Sequence, residues 1–127
     1  MNKITTVNGI IRNIKGEILV VQDDKGFWLL PGGIMEGDES DQETLSRELA
    51  EELQVELIQA KLVGYFDYER AFTVDRPLQM RVYLAEIKGI PKPANEIANI
   101  LWLNKENYKQ GQSFPKMWWD KIFTDLL

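Results

Sequence analysis

Gly33 to Val55 reads GIMEGDESDQETLSRELAEELQV, and eight of the chain's twenty acidic residues fall inside it. Its second half, Arg47-Glu48-Leu49-Ala50-Glu51-Glu52, has the spacing of an amphipathic helix. At about 100° per residue, Glu48, Glu51 and Glu52 share an arc of roughly 100°, and Leu45, Leu49 and Leu53 form the adjoining stripe. One flank can pack, while its neighbour carries three carboxylates. Like charges three and four residues apart repel by roughly 0.2–0.5 kcal/mol per pair. A compensating cation is therefore expected, and a divalent metal ion is the leading candidate. The plainer alternative is a solvated outer face, which acid-rich helices commonly present.

The helix start is well marked. Ser40-Asp41-Gln42-Glu43 fits a capping box, with Ser40 as N-cap and Glu43 reaching back from the third helical position. Upstream, Pro31-Gly32-Gly33 is a turn signal directly after the apolar run Phe27-Trp28-Leu29-Leu30. The unit is expected to run strand, glycine loop, helix, which brings loop carbonyls close to helix carboxylates.

Gly33, Glu39, Arg47-Glu48-Leu49, Glu51-Glu52 and the apolar Val55, at these spacings over 23 residues, resemble the Nudix box. The chain is thus similar to the Nudix hydrolases. That resemblance implies an α/β fold, the Nudix-type α/β/α sandwich with a mixed sheet, and a single domain over residues 1–127. One position departs from the pattern: Gln54 stands where the box has glycine. A glycine there suits a left-handed helix terminus, and another residue type costs on the order of 1 kcal/mol. The carboxylates are untouched by the change.

Composition narrows the chemistry. At 127 residues the chain is long enough for one domain with a sizeable core, and 44% hydrophobic with 28% charged residues is ordinary for a globular protein. There is no cysteine and no histidine. Disulfides, thiolate nucleophiles, imidazole catalysis and nitrogen or sulfur metal sites from these residues are excluded, which leaves oxygen ligands suited to Mg²⁺ or Mn²⁺. A net charge of −5 argues against a sequence-independent grip on nucleic acid. It does not argue against a nucleotide, because bridging metal ions turn the repulsion between an acidic site and a polyphosphate into attraction. No signal-peptide pattern or long apolar span is visible, so a cytoplasmic protein without membrane contact is expected. The patterns carry no signal for oligomeric state.

Along the chain, residues 3–13 read as a strand with Gly9 inside, and Asn13 to Gly16 as a turn. Glu17 to Gln22 is a second strand whose unbroken apolar run predicts burial on both faces. Asp23 to Gly26 turns the chain into Phe27–Leu30. After the box, Glu56 to Tyr68 is strand-like, Phe72 to Pro77 a loop tip, and Leu78 to Ile87 an alternating strand. Gly89 to Pro93 cannot continue a ladder. A short strand returns at Ile97 to Leu103, and Phe114 to Leu127 is expected as an amphipathic helix with Ser113 as N-cap and Pro115 in its first turn.

A diphosphate linkage resists hydrolysis because its anionic oxygens repel a nucleophile. Metal ions supply the charge neutralisation, water activation and alignment that cleavage needs. Glu48, Glu51 and Glu52 are assigned as the principal ligands, with the Gly33 carbonyl as a weaker one. With no histidine, the general base is a carboxylate or water activated by the metal. Arg47, one turn before Glu51, is a candidate to steer that carboxylate, or a surface cation pairing with a neighbour. Glu36 and Glu39 are expected to hold the shape of the loop.

The resemblance extends to MutT-like members that cleave oxidised purine nucleoside triphosphates. It rests on Gly9-Ile10-Ile11-Arg12-Asn13, Asp75-Arg76, Leu84-Ala85-Glu86, Glu96 six residues before Trp102, and Phe114-Pro115. In such relatives an acid in the late loop contacts metal or acts as base, which implies that role for Glu96; on sequence alone it is a loop acid. Trp118 and Asp120 are candidates to stack on and read a base, and Arg76 to reach the nucleotide. For Trp118 the structural alternative is packing on the sheet beside Trp119. The function implied is metal-dependent cleavage of a nucleoside triphosphate to the monophosphate and pyrophosphate. The alternatives are another nucleoside-diphosphate-linked substrate (a nucleotide sugar, ADP-ribose or a dinucleoside polyphosphate) or a nucleotide-sensing domain that does not cleave.

Overall fold

A computed structural model describes residues 3–69 and 75–109. The first strand, β1 (Ile4–Ile10), is followed by a turn in which the Asn13 side chain accepts from the amides of Lys15 and Glu17. β2 (Ile18–Asp23) then runs through the middle of the molecule. Its alternate residues bury into two different clusters. Ile18 and Val20 join Ile10, Met80 and Val82, whereas Leu19 and Val21 join Val7, Leu45 and Leu49. The unbroken apolar run thus has the two-sided burial its sequence predicts.

Asp23 closes the next turn by accepting from the amides of Lys25 and Phe27, and β3 (Trp28–Leu29) pairs back on β2. Here the structure corrects one expectation. Pro31-Gly32-Gly33 does not form an open glycine loop: Gly32–Ile34 is a strand, β4, paired antiparallel with β1. The physical reason is room rather than flexibility. A Cβ on Gly32 would lie 2.1 Å from the Val7 carbonyl oxygen, and its φ of 137° is a conformation that favours glycine.

Helix α1 (Asp41–Leu53) has the expected capping box, with Ser40 and Glu43 each bonded to the other's backbone amide. β5 (Glu56–Tyr68) and β6 (Leu78–Lys88) pair antiparallel over most of their length, with irregularities at Leu57/Gln59 and Leu62/Gly64. β7 (Ile97–Leu103) completes the strands described, and a short helix α2 (Lys105–Lys109) follows. The sequence reading did not anticipate α2. Its start is signed by Asn104 and Asn107, whose side chains accept reciprocally from each other's amides.

Two sheets result, ordered β4-β1-β6-β5 and β3-β2-β7. The first is mixed, because β1 and β6 run parallel while its other pairs are antiparallel. Leu45, Leu49 and Leu53 of α1 pack into one core cluster, and Tyr108 of α2 packs against the other. Helices therefore cover opposite faces of the strand layer, in the α/β/α arrangement expected. The anticipated helix 114–127 lies outside the described residues.

Candidate active site

The geometry of the site follows from the angular order of side chains around α1. At about 100° per residue, Glu52 falls about 40° from Glu48 toward the leucine stripe, and Glu51 about 60° away on the other side. Burial tracks that order: Leu49 and Leu53 are fully buried, Glu52 is 6% and Glu48 9% exposed, and Glu51 stands in solvent. Two of the three box carboxylates are therefore carried into the interface between helix and sheet.

Each buried carboxylate has its own support. Glu52 Oε1 accepts from the Gly32 amide at 2.9 Å, so β4 holds it from the opposite side. Glu48 Oε1 accepts from Arg47 Nη1 at 2.9 Å and packs against Gly33. Arg47 is a hub: its Nε and Nη2 fork onto Glu39 at 2.7 and 3.0 Å, and Nη2 also donates to the Ile34 carbonyl. It lies 3.6 Å from Glu51, so its closest hold on a helix carboxylate is on Glu48. Glu39 in turn accepts from the Glu36 amide at 2.9 Å and the Thr44 hydroxyl at 3.0 Å, tying the loop to the first turn of α1. Glu36 itself is largely exposed, 3.9 Å from Arg47.

A third carboxylate arrives from far along the chain. Glu48, Glu52 and Glu96 each offer an oxygen, and the three oxygens lie within 4.8 Å of one another. Glu96 is held there by its loop, in which the amides of Lys92 and Ala94 donate to the carbonyls of Leu53 and Glu52 and the Asn95 side chain donates to the Glu51 carbonyl. Glu51 is not part of this trio.

The electrostatics are those of a site short of positive charge. Burial, reinforced by Glu48, Glu96 and Glu51, pushes the Glu52 carboxyl up to about 8, against the Gly32 hydrogen bond that favours its charged form. Burial also raises Glu48, opposed by Arg47. Glu39 moves the other way, down to about 2, because Arg47 and the Glu36 amide bond its anion. An oxygen-only donor set, two of its members buried and destabilised as anions by one another, fits a hard divalent cation.

A family model described as the NUDIX domain matches residues 2–127. The chain belongs to that family. Solved structures agree with it. A MutT structure from Aliivibrio salmonicida and Vibrio cholerae is 25% identical with a TM-score of 0.79, covering 98% of this chain and 97% of that one. The MutT protein of Methanosarcina mazei Go1 is 25% identical with a TM-score of 0.78, covering 98% and 89%. The ORF135 protein of E. coli is 28% identical with a TM-score of 0.73, covering 91% and 83%. The chain is a Nudix pyrophosphohydrolase.

The remaining expected residues divide. Arg76 is exposed and lines a cleft of about 280 Å³ with Lys3, Thr5, Ile34 and Met35, next to the Nudix strand β4. Trp118 and Asp120 lie outside the described residues. Among the described residues, no helix is long and apolar enough to cross a membrane.

Two features escaped the sequence reading. Asp41, at the first position of α1, accepts from Arg81 at 2.7 Å and from the Tyr83 hydroxyl, and Arg81 lies over the Tyr65 ring at 5.0 Å. This cluster fastens the start of the Nudix helix to β5 and β6, and no local pattern announces it. Among the described residues, Thr6 Oγ1 and Asn8 Oδ1 are buried without a hydrogen-bond partner, although the Asn8 amide donates to the Leu30 carbonyl. Their parallel partners in the register are Met80 and Val82, so both look toward the cluster that Trp28 and Phe66 pack against. Thr6 and Asn8, which share one face of β1 with Ile4 and Ile10, were the available signal.

Proposed function

We propose that this chain hydrolyses a diphosphate linkage of a nucleoside triphosphate, an oxidised purine nucleotide being the first candidate, to the monophosphate and pyrophosphate, with Mg²⁺ or Mn²⁺. The observation that carries the proposal is the convergence of Glu48, Glu52 and Glu96 from two separate segments onto one point. Glu48, Glu52 and Glu96 would hold the ion, with the rim carboxylate Glu51 and the Gly33 carbonyl as further donors. When bound, such an ion neutralises phosphate charge and activates water. Arg47 keeps Glu48 oriented, and the Gly32 amide does the same for Glu52. The proton of the attacking water passes to a carboxylate of the site as the new P–O bond forms and the bridging P–O bond breaks. Pyrophosphate leaves with the electron pair of the broken bond.

Nucleotide recognition is assigned to the flanking surfaces. Arg76 and Lys3 bring positive charge to the cleft beside β4. Trp118 would stack on the base and Asp120 read its edge, in which case Trp118→Ala raises KM more than it lowers kcat.

The deciding experiment is a turnover panel with Mg²⁺ and with Mn²⁺, comparing ordinary and oxidised purine triphosphates with nucleotide sugars, ADP-ribose and dinucleoside polyphosphates. Preferred release of pyrophosphate from one triphosphate supports the reading. Preference for a sugar- or ribose-linked diphosphate replaces the substrate class, and equal slow turnover on all of them removes it. The sensing alternative has little support, since Glu48, Glu51 and Glu52 are all retained.

A further inference from the structure

The loop that carries Glu96 is built onto the end of α1. The last carbonyls of a helix have no partner within it. Here the carbonyls of Glu51, Glu52 and Leu53 accept from Asn95 Nδ2 at 2.7 Å, the Ala94 amide at 3.0 Å and the Lys92 amide at 3.0 Å. Asn95 is also one of two non-glycine residues with positive φ among the described residues, at 54°. Asparagine is among the side-chain-bearing residues that best tolerate that conformation. The left-handed residue turns the chain so that the next side chain, Glu96, points back toward Glu48 and Glu52. A main chain in the ordinary right-handed or extended region at position 95 would send residue 96 elsewhere.

We propose that Asn95 is a positioning residue for the metal site: its side-chain bond to the Glu51 carbonyl and its left-handed backbone together set the Glu96 carboxylate at the trio. The Asn95 side chain is spent on the Glu51 carbonyl and would not itself hold the ion. It acts through Glu96, and the inference rests on the reading of Glu96 as part of the cation site. Because the bond is to the backbone of α1, the third carboxylate is registered to the same helix that supplies the first two.

The test is Mn²⁺ affinity, read from free Mn²⁺ by electron paramagnetic resonance, in Asn95→Ala, Asn95→Gly and Glu96→Gln and in the double variant Asn95→Ala/Glu96→Gln, with Tm measured for each. Asn95→Ala loses both the bond and the backbone preference and is expected to weaken Mn²⁺ binding roughly tenfold. Asn95→Gly keeps access to positive φ without the bond and is expected to fall between it and the parent. In the Glu96→Gln background, Asn95→Ala is expected to change affinity no further, whereas a merely structural role lowers Tm in both backgrounds and leaves affinity alone. Unchanged affinity in Asn95→Ala, or an equal further loss in the double variant, overturns the proposal while leaving the metal reading intact. Unchanged affinity in Glu96→Gln overturns both.

Discussion

A Cβ placed on Gly33 would lie 2.6 Å from Cδ of Glu48. The helix carboxylate occupies the space that any other residue type on that strand would fill. The neighbouring glycine is required for a different reason, since a Cβ on Gly32 meets backbone of β1 rather than the far end of a side chain. Gly33→Ala is therefore expected to displace Glu48 and leave the fold standing. Mn²⁺ affinity should fall at least about tenfold, with Tm changed by no more than about 3 °C. Gly32→Ala should instead cost about 3 kcal/mol or more, through strain and loss of β1–β4 pairing. Thermal melts of the two variants beside a Mn²⁺ titration check the contrast, and equal melting temperatures would refute it.

Glu52 ties stability to pH in the metal-free protein. Its carboxyl sits at about 8 in the fold against an ordinary value of 4.5. Folding thus favours the protonated form, so the stabilisation is fully present below 4.5 and is lost as pH rises toward 8. In chelator, Tm should decline across that window and flatten above it. Glu52→Gln should show a shallower decline and melt higher than the parent at the alkaline end. The same variant should lose most turnover, and retention of more than about half would take Glu52 out of the ligand set.

Glu39 has the opposite sign. Arg47 and the Glu36 amide hold its carboxyl at about 2, below the ordinary 4.5. Its contribution is present above 4.5 and is lost as pH falls through 2. Glu39→Gln should melt below the parent at neutral pH, and the difference should narrow on acidification toward pH 2. A gap that stayed constant with pH would mean that the Glu39–Arg47 fork contributes shape but no charge.

Gln54 is a site where the chain can be improved. It has φ 58° and ψ 39° at the end of α1, and its amide bonds the Ala50 carbonyl at 3.2 Å. Glycine adopts that conformation without a Cβ penalty, so Gln54→Gly should stabilise the fold by about 1 kcal/mol, raising Tm by roughly 3–5 °C. Calorimetry at fixed pH reads this directly. No gain would show that the glutamine side chain compensates for its backbone.

What could be read from the residues alone was what local spacing encodes. α1, its capping box, its leucine stripe and the two-sided burial of β2 all depend on neighbours a few positions away. The strand character of Gly32–Ile34 was hidden because glycines carry no side-chain period, and only the proximity of β1 explains them. Glu51 and Glu52 are adjacent in sequence and chemically alike. A difference of roughly 100° around the helix puts one in the crowded trio and leaves the other at the rim. The Asp41–Arg81–Tyr83 cluster and the docking of Asn95 join residues about forty positions apart, and no pattern along the chain announces such pairs. Glu96 was named from resemblance, and its physical reason, a loop seated on the helix end, became visible only in three dimensions.

The parallel pairing of β1 with β6 joins Ile4 to Leu78. A ribosome must therefore deliver roughly seventy further residues after Ile4 before β1 acquires that neighbour, and the segment bearing Glu96 emerges later still. During synthesis the acidic helix exists without the third carboxylate or the loop that seats its end. Nascent chains of this protein should acquire protease resistance late and abruptly rather than in stages, as expected when distant segments must close before anything local is secure.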